Sequence, residues 1–158
     1  MPSIQRIHHV AFVVDDLLAA LSFWRDTLGL SVSRIEEVPE QESEIAFLPL
    51  GDSEIELVHP TTPDSGVARY LSKRGPGMHH ICLEVADLDG VLGRMRARNV
   101  RLINSEPLTA ADGRRMAFIH PESASGVLVE LYELPAISAE VSSEPEAPGA
   151  RMGEKPDF

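Results

Sequence analysis

Ile7-His8-His9-Val10-Ala11-Phe12-Val13-Val14-Asp15-Asp16-Leu17 returns 71 residues later as Met78-His79-His80-Ile81-Cys82-Leu83-Glu84-Val85-Ala86-Asp87-Leu88. At this offset His8, His9, Val14, Asp16, Leu17, Leu21 and Arg25 all fall on identical residues. Each copy opens as an apolar or alternating strand and passes through an aspartate into a helical pattern. Each copy also ends in a strand with a carboxylate set among apolar residues, Ile55-Glu56-Leu57-Val58 and Val129-Glu130-Leu131-Tyr132. A duplicated unit that gives one histidine and one glutamate per copy can build a pseudo-twofold His/Glu/His/Glu metal site.

Outward from that segment the chain reads as β-α-β-β, twice. Strand 6–14 leads to a helix capped by Asp15 or Asp16, with Leu17, Leu18, Leu21, Trp24 and Leu28 as its apolar positions and Gly29 as its stop. Strands at 43–50 and 53–59 are joined by the turn signal Gly51-Asp52. The second copy has a strand at 78–86 and a helix capped by Asp87 that carries Leu88, Val91, Leu92 and Met95. Asn99 suits its left-handed end, and the hairpin follows at 115–120 and 126–133. Phe47 and Phe118 keep the offset of 71, but Glu56 and Glu130 are 74 apart. The second hairpin should therefore turn through about three more residues, at 121–125. Pro63 and Gly75-Pro76-Gly77 bound a linker helix at about 64–74. Residues 135–158, rich in Pro, Glu, Ala and Ser, read as a flexible acidic tail outside a single domain at 1–134.

Composition narrows the partners. A formal charge of −11 argues against nucleic acid, which needs clustered Lys and Arg. The single cysteine excludes an internal disulfide framework and fits a reducing compartment. No apolar run is long enough to span a bilayer, and no signal-peptide core is evident at the N-terminus. The expectation is a cytoplasmic enzyme or binding protein with no membrane partner.

Strand parity separates the two histidines of each pair. His9, Ala11 and Val13 share one face, and His8, Val10 and Phe12 share the other. The second copy repeats this with His80, Cys82 and Glu84 against His79, Ile81 and Leu83. The more apolar set suits packing under helices, so His9 and His80 should face the open side. Glu130 lies within Val127-Leu128-Val129-Glu130-Leu131, where an uncompensated charge is costly and a dication would offset it. Glu56 is less distinctive, because Glu54 shares its parity and an exposed face would explain both. Imidazoles with carboxylates suit Co, Ni, Zn, Mn or Fe as the divalent ion.

The chain resembles the vicinal-oxygen-chelate (glyoxalase/bleomycin-resistance/dioxygenase) superfamily, and within it the methylmalonyl-CoA epimerase family. The segments that carry the likeness include His8-His9-Val10-Ala11, Phe47-Leu48-Pro49-Leu50-Gly51, Gly77-Met78-His79-His80-Ile81, Phe118-Ile119-His120-Pro121 and Gly126-Val127-Leu128-Val129-Glu130-Leu131. It covers roughly residues 5–134. The resemblance implies an α+β fold of two tandem βαβββ modules, about 5–62 and 77–134. These form a cleft-shaped mixed sheet with helices outside, usually as a homodimer. It implies that His9, Glu56, His80 and Glu130 hold the divalent metal. The reaction would be epimerisation of (2R)/(2S)-methylmalonyl-CoA by C2 proton abstraction and reprotonation through a metal-stabilised enolate. Two proton-transfer groups would then flank C2, and Glu130 is one of them. Some members carry a second glutamate at a position that registers on Ile45; Glu44 lies one step off and is the candidate substitute, reaching the site if a bulge shifts the register.

Two other activities use similar parts. A glyoxalase I-like lyase acting on a thiol hemithioacetal would use the same metal set, and a non-catalytic small-molecule-binding member of the superfamily would lack it. Trp24 and Cys82 read as core, and His59 and His120 as strand-end residues. The basic pairs Lys73-Arg74 and Arg114-Arg115 suit CoA phosphates. Solvated surface charge is the commoner setting for such pairs.

Overall fold

The computed structural model describes residues 4–136; most of the acidic tail expected at 135–158 lies outside them. The first module contains β1 (Ile4–Val13), α1 (Leu17–Leu21), β2 (Arg34–Val38), β3 (Ser43–Leu50) and β4 (Ser53–Pro60). A linker helix α2 (Gly66–Arg74) follows. The second module contains β5 (Gly77–Val85), α3 (Leu88–Ala97), β6 (Leu108–Thr109), β7 (Arg115–Ile119) and β8 (Leu128–Glu133). All the strands join one mixed eight-stranded sheet in the order β2-β3-β4-β1-β5-β8-β7-β6. The two modules meet at the antiparallel β1–β5 pair, and each central strand has a parallel partner, β4 or β8. This is the expected α+β fold of two βαβββ units. The edge strands β2 and β6 are absent from the β-α-β-β pattern read off the residues. One is the charged segment Arg34-Ile35-Glu36-Glu37-Val38 and the other has only two residues, so neither shows a buried period.

Local chemistry sets the element ends. Asp16 and Asp87 cap α1 and α3 by accepting from the backbone N–H of Ala19 and Gly90. Ser65 caps α2 by accepting from Ala68 N–H. Asn99 is left-handed, with φ 57°, as its place after α3 requires. The registers Phe47↔Glu56 and Phe118↔Glu130 place the three extra residues in the second hairpin, which turns through a short 3₁₀ segment at Pro121–Ser123.

The first helix departs from the expected stripe. After Leu21 it widens into a π-helical turn, Ser22–Thr27, in which Leu28 N–H donates to Phe23 C=O. The added residue per turn rotates the later side chains off the core face, so Leu28 lies exposed, as does Leu18 on the helix flank. Leu17 and Leu21 remain buried against Ala46, Leu48 and Leu57, with half-buried Trp24 packed on Phe12. The equivalent layer of the second module is Leu88, Val91 and Leu92 against Ala117, Ile119 and Leu131. Each fully buried Leu side chain contributes about 1.5–3 kcal/mol of transfer free energy. Both helices cover the same face of the sheet, which leaves the other face to the site. No helix among the described residues is long and apolar enough to cross a membrane.

Candidate metal centre and active site

Four side chains meet on the face opposite α1 and α3, one from each of the four central strands. His9 (β1), Glu56 (β4), His80 (β5) and Glu130 (β8) are all at most 3% exposed. His9 Nε2 lies 3.0 Å from His80 Nε2. Glu130 Oε2 is 3.1 Å from His80 Nε2 and 3.5 Å from His9 Nε2. Glu56 Oε1 approaches His9 from the other side, 3.6 Å from Nδ1. His9, Glu56 and His80 can each offer a ligand atom to a common ion.

The sheet explains why these four converge. Pairing of β1 with β4 sets Ala11 opposite Glu56, and pairing of β5 with β8 sets Cys82 opposite Glu130. His9 and His80 sit two residues before Ala11 and Cys82 on the same face. Pairing of β1 with β5 contains three irregularities, one between Ile4 and Arg6 and two at the histidine doublets. Ile7 pairs with Leu83 and His9 with Cys82, so His8 is an extra residue; Ala11 pairs with His80 and Phe12 with Met78, so His79 is extra. Each His-His doublet is thus a β-bulge, a device that re-aims side chains beside sites.

The bulges correct the parity expectation for His8 and His79. Strict alternation sends them to the helix face, but an extra residue breaks the alternation at that point. His8 stacks at 4.8 Å on Tyr132, which packs with Cys82, Met116 and Phe118 on the site face. Its Nδ1 lies 2.9 Å from His9 Nδ1, and His79 Nδ1 lies 2.8 Å from His80 Nδ1. In the tautomer where His9 and His80 donate from Nδ1, both Nε2 lone pairs turn inward. The signal for this pairing was present in the sequence, because the whole doublet repeats and not one histidine alone.

That arrangement fits a metal. Two imidazole lone pairs and a carboxylate oxygen separated by 3.0–3.5 Å repel one another unless a shared proton or a cation lies among them. Donors bound to one ion at about 2.1 Å stand roughly 3.0–3.4 Å apart in octahedral or tetrahedral geometry. Burial strengthens the case, since two carboxylates at 1–2% exposure carry a large desolvation cost that a dication offsets.

The surroundings are polarised. Burial, then the neighbouring His9 and Arg6, holds the His8 imidazole below its ordinary pKa. Burial and nearby Glu56 push the Glu54 carboxyl up. Burial also raises the Tyr132 phenol, opposed by adjacent Arg114, which donates to its hydroxyl and pairs with Asp112.

Glu44 is not brought to the quartet. It pairs across strands with Glu37 and His59 and shares parity with Ala46 and Leu48, which pack under α1. The register of β3 is regular here, with no bulge to turn it. Ile45 faces the site side instead, fully buried with Ala11, Phe47 and Val58. Cys82 is core, as expected. His59 Nδ1 lies 3.2 Å from Val14 C=O, and His120 accepts from Glu122 N–H to cap the 3₁₀ turn.

A duplicated βαβββ sheet with a buried His/Glu quartet at its seam defines a class of protein. Residues 8–118 match the family model of the Glyoxalase/Bleomycin resistance protein/Dioxygenase superfamily, and the chain belongs to that superfamily. Within it, the chain is 39% identical over 129 residues to the mitochondrial methylmalonyl-CoA epimerase of Mus musculus, covering 81% of this chain and 72% of that protein. It is 38% identical over 133 residues to an ethylmalonyl-CoA/methylmalonyl-CoA epimerase of Cereibacter sphaeroides, covering 83% of this chain and 99% of that one. A Streptomyces coelicolor methylmalonyl-CoA epimerase variant, in complex with 2-nitronate-propionyl-CoA, superposes with a TM-score of 0.72 at 35% identity. That match covers 87% of this chain and 100% of the other.

Proposed function

We propose that this chain is an isomerase that epimerises methylmalonyl-CoA at C2, with His9, Glu56, His80 and Glu130 holding a divalent metal. The observation that carries the reading is the quartet itself: four buried ligand side chains, one per central strand, in a chain similar along most of its length to methylmalonyl-CoA epimerases. A bound divalent ion would act as a Lewis acid on the thioester and carboxylate oxygens and acidify the C2 proton.

The chain's own groups do the rest. His8 and His79 hold the ligand imidazoles in the tautomer that points Nε2 inward. Glu130 serves as the proton-transfer group on one face of C2, beside the imidazoles at the seam. Ile45 and Phe47 form an apolar wall on the site face. Because β3 turns Glu44 away from the quartet, the opposite face of C2 takes its proton from solvent.

The test is hydron exchange. Full-length protein loaded with Co or another divalent ion should place deuterium at C2 of methylmalonyl-CoA in deuterium oxide, and chelator-treated protein should not. Metal-loaded protein that leaves C2 unlabelled would refute the reading.

A further inference from the structure

The pseudo-twofold symmetry that builds the quartet fails at one position of the site face. Arg34 on β2 is the Cα partner of Phe47, and Phe47 is the partner of Glu56, so the three share one row of the sheet. The second module repeats the row with Asn104, Phe118 and Glu130. Ser33 N–H donates to Phe47 C=O at 2.9 Å, and Ile103 N–H donates to Phe118 C=O at 2.8 Å, which makes Asn104 the counterpart of Arg34. The Asn104 side chain accepts from Phe118 N–H and donates to Glu106 C=O. One module thus carries a cation where the other carries a neutral amide with both ends engaged.

Stacking fixes the direction of Arg34. Its guanidinium carbon stands 3.6 Å from the centroid of the Phe47 ring, which is only 1% exposed. A cavity of about 50 Å³ lies beside that ring, on the site face. Arg34, Glu54 and Arg114 border it, together with His9, Glu56 and Glu130 of the quartet. One water in the liquid takes up about 30 Å³, so this space suits a group the size of a carboxylate and little more.

The charges around the cavity show what Arg34 does there. Glu54, Glu56 and Glu130 are three carboxylates on its border. A divalent ion held by the quartet would offset two of them. Arg114 is matched by Asp112 and donates to the Tyr132 hydroxyl. Arg34 is therefore the cation that offsets Glu54, yet its Nη1 stands 3.8 Å from that carboxylate, too far for a hydrogen bond. Its Nε meets Glu36, an exposed neighbour on the same strand, at 2.9 Å. The Nη1 and Nη2 groups keep their hydrogen-bonding capacity for an anion in the cavity.

We propose that Arg34 binds the free carboxylate of the substrate's malonyl group in this cavity and so sets the preference for a diacid thioester. The inference rests on the acyl-CoA reading above and names a specificity-determining residue for it. A carboxylate has two oxygens, and a planar guanidinium can hold the one that is turned away from the quartet.

Malonyl-CoA and acetyl-CoA differ only in that carboxylate, and calorimetric titration of each into full-length protein at saturating Co measures the preference. The wild type should bind malonyl-CoA more tightly. Arg34 is half-exposed on an edge strand, so its replacement leaves the core intact. Arg34→Gln should shrink the ratio of the two affinities about ten- to hundredfold, the scale of a charge-assisted hydrogen bond. Arg34→Lys keeps the charge without the fork and should shrink it less. Arg34→Gln combined with Glu54→Gln separates contact from charge balance, and the loss should persist there. A ratio unchanged by Arg34→Gln would overturn the proposal. So would a ratio restored in the double variant, because Arg34 would then act only by neutralising Glu54. If the ratio falls as expected but C2 exchange is absent, the carboxylate subsite stands and the epimerase reading falls. If exchange occurs and the ratio does not change, only the subsite falls.

Discussion

Glu130→Gln isolates the charge on which the proposed centre depends. The amide has the shape of the carboxyl it replaces, so the packing of a side chain only 1% exposed should survive. In metal-free protein the substitution removes a buried negative charge. The melting temperature of the chelator-treated variant should therefore equal or exceed that of the wild type. Metal reverses the comparison. An ion at one hundred times its dissociation constant stabilises the native wild type by about 2.7 kcal/mol. At roughly 4 °C per kcal/mol for a domain of this size, the melting temperature should rise by about 10 °C. The variant lacks the anionic oxygen that lies 3.1 Å and 3.5 Å from the two Nε2 atoms, so most of that increment should vanish at the same metal concentration. Epimerisation should fall by about 10²–10⁴-fold, the usual scale of a lost general acid–base group. Thermal melts with and without chelator, run beside the exchange assay, read both effects. A variant that keeps the full metal increment and normal turnover would refute both roles given to Glu130.

Other expectations follow from neighbouring parts of the structure. His79→Asn removes the group that orients His80 and should weaken metal binding about 10–100-fold by competitive chelator titration. Glu44→Gln should change kcat/KM by less than about twofold, because the half-buried side chain lies on the face of β3 away from the quartet. His8 is held below its ordinary pKa, so the unfolded chain takes up a proton near pH 6.5 that the folded chain refuses. Stability of the chelator-treated protein should therefore decline as pH falls below that value, and His8→Asn should flatten the decline in urea titrations. Leu92→Ala, at a fully buried position of α3, should cost about 2–5 kcal/mol in the same titrations.

Much of the fold was legible because duplication makes local patterns corroborate one another. A single His-His pair at a strand start carries little information, but its return 71 residues later specifies two modules whose strands bring His9 and His80 together. The strand periods and caps at Asp16 and Asp87 were visible because they depend on neighbours within a few residues. The edge strands were hidden because β2 has charged positions and β6 has two residues, so their pairing is a property of the sheet. The π-helical turn that exposes Leu28 has no marker in the residues themselves, since the same apolar spacing fits an α-helix.

The sequence alone determined the duplicated architecture and the three extra residues of the second hairpin, and it singled out His9, His80 and Glu130; Glu56 joined them through the family resemblance. Repeat spacing and strand parity are short-range periods written directly in the chain. Tertiary structure decided where each period is broken and what faces what. Only pairing of β1 with β5 creates the bulges that bring His8 and His79 onto the site face. Only the unbroken register of β3 turns Glu44 toward α1 and presents Ile45 in its place. Only the packing of α2 across the end of the sheet sets its cations around a cavity beside the quartet. These are hydrogen-bond registers and helix placements between residues distant in sequence, and no local pattern encodes them.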